Sequence, residues 1–278
     1  MRVSDRARLL QTAQAYAGYS RILLGEGFCT AAINEGPELQ PEEVFAQAEA
    51  LFTQAIDGPD AQIANMARLG RARARLNVGD APGALSDAQL VPAGFVQYAR
   101  YSDASARSRN AVFDRNNRLE GVSIDLQNQN VSFEGVADPR VPVEKTGDIG
   151  PNGIDTVWVQ LKYTSLNSPI PIARYAGARL IIAEISGGQT AVDIINELHS
   201  AAGLPEFHSD DPDEIMAHVI QERAREFFLE GQRFHDFKRL DLPFDPPAGA
   251  PYWQGGTYGT TRCLPLPDLE RDNNPNIG

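Results

Sequence analysis

From residue 5 to residue 25 apolar side chains return every three, four or seven positions. Leu9, Ala13, Tyr16 and Leu23 form one series, with Leu10, Ala17 and Leu24 beside it. That period predicts an α-helix with one buried stripe, closed by Gly25 and Gly27. Pro41-Glu42-Glu43 opens a second helix. Proline is tolerated in a first turn, where its missing N–H has no partner to lose, and the two acids face the positive end of the helix dipole. A further helix pair is predicted over 61–91.

The spacing inside these helices narrows the reading. Ala48, Phe52 and Ala55 alternate small, large and small, and Ala72, Gly79-Asp80, Ala84 and Ala88 continue the pattern with a turn between. This resembles the tetratricopeptide repeat, in which small residues let neighbouring helices approach and helix pairs stack into a solenoid. Residues 93–168 break the pattern with Asn, Asp, Gly and Pro clusters. Short alternating pieces, Val122–Leu126, Val131–Phe133 and the strand-like Thr156–Tyr163, predict loops with a few small strands. Helices resume over 171–186, 188–202 and 212–230, the last opened by Asp211-Pro212-Asp213-Glu214, a cap, a first-turn proline and acids. The Pro- and Gly-rich remainder, 241–278, should wrap the outside. The expected fold class is therefore mainly all-α. We expect one domain over 1–278: tetratricopeptide-like helices at 1–92 and 169–240, the insertion at 93–168, and the wrapping tail.

Composition sets limits. The chain has 278 residues, 42% of them hydrophobic, which suffices for a sizeable core. Its formal net charge of −12 argues against a nucleic-acid partner, which needs clustered Lys and Arg, and against a bare anionic membrane surface. No apolar run is long enough to cross a membrane.

The segment Gln221–Arg239 is the most informative in the chain. Phe227, Phe228, Leu229, Phe234 and Phe237 supply apolar area, while Glu222, Arg223, Glu226, Glu230, Arg233 and Asp236 lie among them. Charges so placed persist only when paired, so a helix, a break at Gly231 and one polar network are expected. The segment resembles the C-terminal signature of the SusD/RagB family, E-R-x-x-E-[FL]-x-F-E-G-x-R-[FW]-x-D-[FL]-x-R. Glu222-Arg223, Glu226-Phe227, Leu229-Glu230-Gly231, Arg233-Phe234, Asp236-Phe237 and Arg239 take its positions. Two more segments are similar to the family's. Arg174, Ala176, Leu180, Ala183 and Glu184 fit its R-x-A-[ED]-x-x-L-x-x-A-E helix, with Gly177 in place of the usual acid. Pro265, Leu266, Pro267, Glu270, Asn274 and Pro275 fit its closing motif.

The resemblance implies a nutrient-binding lipoprotein of the outer membrane, at the cell surface, beside a SusC-like TonB-dependent transporter. It implies an oligosaccharide or other polymer as ligand. Family members are exported, anchored through an N-terminal Cys and nearer twice this length; we expect a trimmed chain with a start Met added. Cys29 and Cys263 are too far apart for a CxxC motif. They are either a disulfide or two buried thiols, and implied export favours the bridge.

Candidate chemistry is sparse. His199, His208, His218 and His235 are scattered in sequence, and no hydrolase, zinc-protease or phosphate-loop motif occurs. We expect no catalytic residue, metal or cofactor. Glu222, Glu226 and Glu230 share a helix face and could suggest a glycosidase acid pair, but Arg223, Arg225 and Arg233 favour a structural network. Asp57–Asp60 and Asp210–Asp213 lack calcium-loop spacing. A sugar binder needs aromatic faces, and Trp158, Tyr163, Tyr252, Trp253 and Tyr258, with Tyr98 and Tyr101, are the loop or strand aromatics available. Each could equally pack on the scaffold. The competing readings are a tetratricopeptide scaffold for protein partners and a glycan-cleaving enzyme.

Overall fold

A computed structural model of the chain describes residues 3–150, 152–252 and 254–277. The chain is mainly helical. Helices α1 (Val3–Gly27), α2 (Pro41–Ile56), α3 (Ala61–Asn77) and α4 (Ala81–Gln89) each pack on the next. Strand β1 (Val96–Ala99) leads into the irregular stretch, which carries the short α5 (Ala111–Phe113), a π-turn at Asp114–Arg118, and strands β2 (Ser132–Phe133), β3 (Val136–Ala137), β4 (Val143–Ile149) and β5 (Thr156–Gln160). Strand β6 (Ile170–Arg174) returns to the helices α6 (Tyr175–Ser186), α7 (Gly188–Ala202), α8 (Pro212–Glu226), α9 (Arg233–Arg239) and α10 (Asp268–Asn273). The strands pair antiparallel as β1–β6, β2–β3 and β4–β5. Because Val96 faces Arg174 and Ala99 faces Ile170, the β1–β6 ladder clamps both ends of the excursion to the helices.

Capping explains where the helices start. Asp60 accepts from the amides of Gln62 and Ile63 at 3.0 and 3.2 Å, Asp80 from Gly83 at 3.0 Å, and Asp211 from Asp213 and Glu214 at 2.8 and 3.2 Å. Each satisfies amides that a helix leaves unpaired. The core runs through α1–α4 and α6–α8, with Ala48, Phe52, Ala55, Ala72 and Ala84 all fully buried.

The structure reverses the face expected of α1. Leu9, Leu10, Tyr16 and Leu23 are exposed, Leu10 and Leu23 by 57% and 55%. The buried face is Gln11, Ala15, Gly18, Tyr19, Ile22, Gly25 and Glu26. Close approach is the reason: a Cβ on Gly18 would stand 2.5 Å from the Phe52 ring, and one on Gly70 of α3 only 2.4 Å from it. Phe52 is thus held between two glycines. The polar members of this face are satisfied, Gln11 donating to Ala55 O and Asp60 O at 2.9 Å each and Tyr19 Oη to Met66 O at 3.1 Å.

Three other boundaries move. Residues 171–174, expected in a helix, belong to β6, because β1 offers a partner and a two-stranded edge tolerates Pro171. The signature helix stops at Glu226 rather than 230, with Leu229 and Gly231 at φ of 58° and 78°. Val122–Leu126 forms no strand; Asp125 instead caps a single turn at Leu126–Asn128. The tail wraps back as expected. Asn274 and Asn276 donate to the carbonyls of Gly36 and Glu35 at 2.8 and 2.7 Å, and Cys29 and Cys263 form a disulfide with Cα atoms 5.0 Å apart.

Gly70→Ala should lower stability by about 1–3 kcal/mol, although alanine ordinarily favours a helix over glycine, because the added methyl overpacks Phe52. Chemical denaturation checks this, and an unchanged midpoint refutes the clamp. The bridge closes a segment 234 residues long. Unreduced, denatured protein should titrate no free thiol, and reduction should cost about 5 kcal/mol in the chain-entropy account.

Candidate functional site

The carboxylates of α8 build the centre of the molecule. Glu222 and Glu226 lie one helical turn apart, and Glu230 follows just beyond the helix end. Their side chains are at most 9% exposed, so cations must come to them. Arg140, from the irregular stretch, reaches Glu222 Oε2 at 2.5 Å and Glu226 Oε1 at 3.1 Å while also pairing with Asp138 at 2.7 Å. Arg174, at the end of β6, pairs with Glu226 at 2.5 Å and Glu230 at 3.2 Å. Lys162 donates to Glu230 and to the Phe228 carbonyl, both at 2.8 Å. On another side of α8, Arg223 pairs with Asp236 at 2.8 Å, and Arg239 joins Asp236 to Glu184. Gly177, where the family carries an acid, instead borders Phe227 and Leu69, which a Cβ there would meet at 3.6–3.7 Å.

Arg233 is the exception. Expected in the ion network, it makes no salt bridge among the described residues and stacks over the Phe237 ring at 4.6 Å, where burial lowers its pKa. Asp236 is already served by Arg223 and Arg239. Sequence reasoning also missed Arg140, Asp138 and Lys162. One signal could have pointed to them: three acids on one helix face exceed the cations that the same face can supply.

Burial by itself would raise the Glu222 pKa. The contact with His199 and the Arg140 guanidinium outweigh it and hold the group at about 2. The sequence treats the histidines as scattered, yet His199, His218 and Glu222 converge, buried, within 4.8 Å of one another.

Beside the network, between 112–131 of the irregular stretch and α8 with the turn after it, lies a groove of about 730 Å³. Ile124, Val131, Phe228 and Leu229 give it an apolar floor; Asp125, Gln127, Asn128 and Gln221, with Arg115, Arg225 and Arg233, give it a polar rim. The Phe234 ring, 40% exposed, borders it. Asp125 is the only carboxylate on the wall among the described residues, and it is occupied in capping Asn128.

The expected ligand aromatics are not brought together. Trp158 is half-buried against Ile124, Val141 and Phe228, one layer behind the groove floor. Tyr163 is buried, its hydroxyl 3.4 Å from the Leu229 carbonyl, so it has no face to offer a ligand. Tyr252 and Tyr258 meet edge to face at 5.3 Å on a hairpin of the tail. Trp253, between them, lies outside the described residues. The tail touches the groove rim where Gln127 donates to Asp245 at 3.1 Å.

In this chain a helical solenoid is tied by a buried ion network to an irregular, groove-forming excursion. The chain belongs to the SusD family, whose model matches residues 106–277. Solved structures agree in fold. A SusD-like carbohydrate binding protein from Bacteroides vulgatus superposes with a TM-score of 0.71 at 17% identity, over 100% of this chain and 78% of that one. Surface glycan-binding protein A from Bacteroides uniformis gives 0.67 at 15%, with the same coverage. A laminarin binding SusD-like protein gives 0.66 at 16%, over 100% and 79%. These relatives exceed this chain by less than the factor of two expected. No curated protein matches the sequence.

Arg140→Ala should cost about 3–5 kcal/mol by stranding buried carboxylates, while Arg233→Ala should cost only about 1 kcal/mol, the worth of its ring contact. Equal losses in thermal melts would refute this division. Glu222 is ionised down to about pH 2 when folded but only above about 4.5 in the unfolded chain. Its contribution, on the order of 3 kcal/mol, is complete above pH 4.5 and is lost as pH falls towards 2. Glu222→Gln should flatten the stability profile across that window.

Proposed function

We propose that this protein is a non-enzymatic glycan-binding subunit of the cell surface that serves a TonB-dependent outer-membrane transporter. The groove carries the reading. An apolar floor with an amide-rich rim suits a ligand of hydroxyls and flat apolar faces. A glycoside hydrolase needs two positioned carboxylates, whereas the described wall has one, already engaged as a cap. Buried acids such as Glu222 and Glu226 are neutralised by arginine and cannot serve as a free pair. The names of the structural relatives, a laminarin binder and a surface glycan binder among them, support the ligand class.

The exposed side of α1 supports the partner. Leu9, Leu10 and Leu23 leave an apolar face outside the stack, of the kind a large protein surface covers. The family's association with a transporter supplies the occupant.

A glycan array followed by calorimetry tests the binding. One soluble polysaccharide should bind without being cleaved, and Gln127→Ala and Phe234→Ala should each weaken it about tenfold, about 1.4 kcal/mol per contact. Full affinity in both variants would move the site elsewhere, and shortened glycan after incubation would end the non-enzymatic reading. Leu10→Asp with Leu23→Asp should reduce copurification with the transporter and leave glycan affinity unchanged.

A further inference from the structure

We propose that His199 Nε2, His218 Nε2 and Glu222 Oε1 form a site for a divalent transition metal, zinc by its donor set, that ties α7 to α8. The three atoms face one another. The two imidazole nitrogens are 3.3 Å apart, and Glu222 Oε1 is 3.1 Å from His199 and 3.8 Å from His218. Zinc holds nitrogen and oxygen at about 2.0–2.2 Å in a tetrahedron, which sets its ligands about 3.4 Å apart. The observed separations bracket that value.

The surroundings are those of a ligand set. His199 Nδ1 lies 2.6 Å from the Pro205 carbonyl, which can only accept, so that nitrogen carries a proton. A second-shell bond of this kind fixes a metal-bound histidine in its tautomer and aims the other nitrogen inward. His218 is held by stacking on Phe207 at 4.1 Å, and Phe133 stands edge-on to both imidazoles at 4.7 and 5.2 Å. Both rings are therefore packed in place before any ion arrives.

Charge asks for a cation at this point. The three atoms can share a proton along only one edge of the triangle. A metal ion serves all three. Arg140 and Arg225 also approach Glu222 Oε1, at 3.1 and 3.6 Å. Both also pair with Asp138, and a metal ion would share Glu222 with them. An open cavity of about 380 Å³ lined by Phe133, Glu134, His208 and Gln221 has His218 in its wall, which gives an ion an approach from solvent. Imidazole and carboxylate together favour zinc and its neighbours over calcium or magnesium.

Chelator-treated protein titrated with Co2+ should develop the visible bands of a tetrahedral centre, saturating at one equivalent, and Zn2+ should displace it. Zinc should raise the melting temperature of that protein by several degrees, because only the folded state holds the three donors. His218→Gln should weaken the metal at least about a hundredfold, while the exposed His208→Ala should not. If His218→Gln fails to fold, the wild-type Co2+ spectrum and the zinc shift decide alone. An octahedral or absent Co2+ spectrum, or equal metal binding in His218→Gln, overturns the site. Glycan binding takes no part in these readouts.

Discussion

Everything in this molecule depends on satisfying the carboxylates of α8 and its following turn. Glu222 is fully buried and Glu226 nearly so, and neither could remain ionised without a cation at contact distance. The cations come from far along the chain: Arg140 and Lys162 from the excursion, Arg174 from its closing strand. A local need of one helix is met by long-range folding. This is why a segment so irregular as 100–169 is nonetheless fixed: its loops are held by ion pairs where regular structure would have used a sheet.

The helical half solves the opposite problem. There the constraint is distance, and the solution is small residues. Gly18 and Gly70 admit the Phe52 ring from two sides, and alanines line the rest of the seam. A solenoid so built consumes little large apolar area on α1. Its leucines are left on the outside, at no packing cost to the stack.

These two solutions explain what could be read from the residues alone. Helices α2, α3, α4 and α7 were legible because their small–large spacing, caps and glycine ends are local signals. The family signature was legible because six charges among five large apolar residues admit few arrangements. The α1 face was misread because periodicity weighs a leucine above a glycine, whereas close packing reverses that ranking. Strand β6 was misread because its partner, Val96–Ala99, lies more than seventy positions away. Arg233 was misassigned because density of charge does not say which cation takes which acid; Arg223 and Arg239 had already satisfied Asp236. Two of the expected ligand aromatics lie deeper than anticipated for a related reason. Tyr163 and Trp158 are drawn inward by the same excursion that was expected to display them.

The groove and the ion network are consequently two faces of one device. Arg225 borders the groove and stands 3.6 Å from Glu222, and Phe228 is both floor and a residue whose carbonyl Lys162 fixes. The floor is therefore held by the pairs behind it. Groove residues on 115–128 can change without disturbing the charges that hold the excursion in place. The separation is chemical as well as spatial: paired ions resist substitution because each removal strands a partner, while an amide on the rim can be exchanged at the cost of one contact.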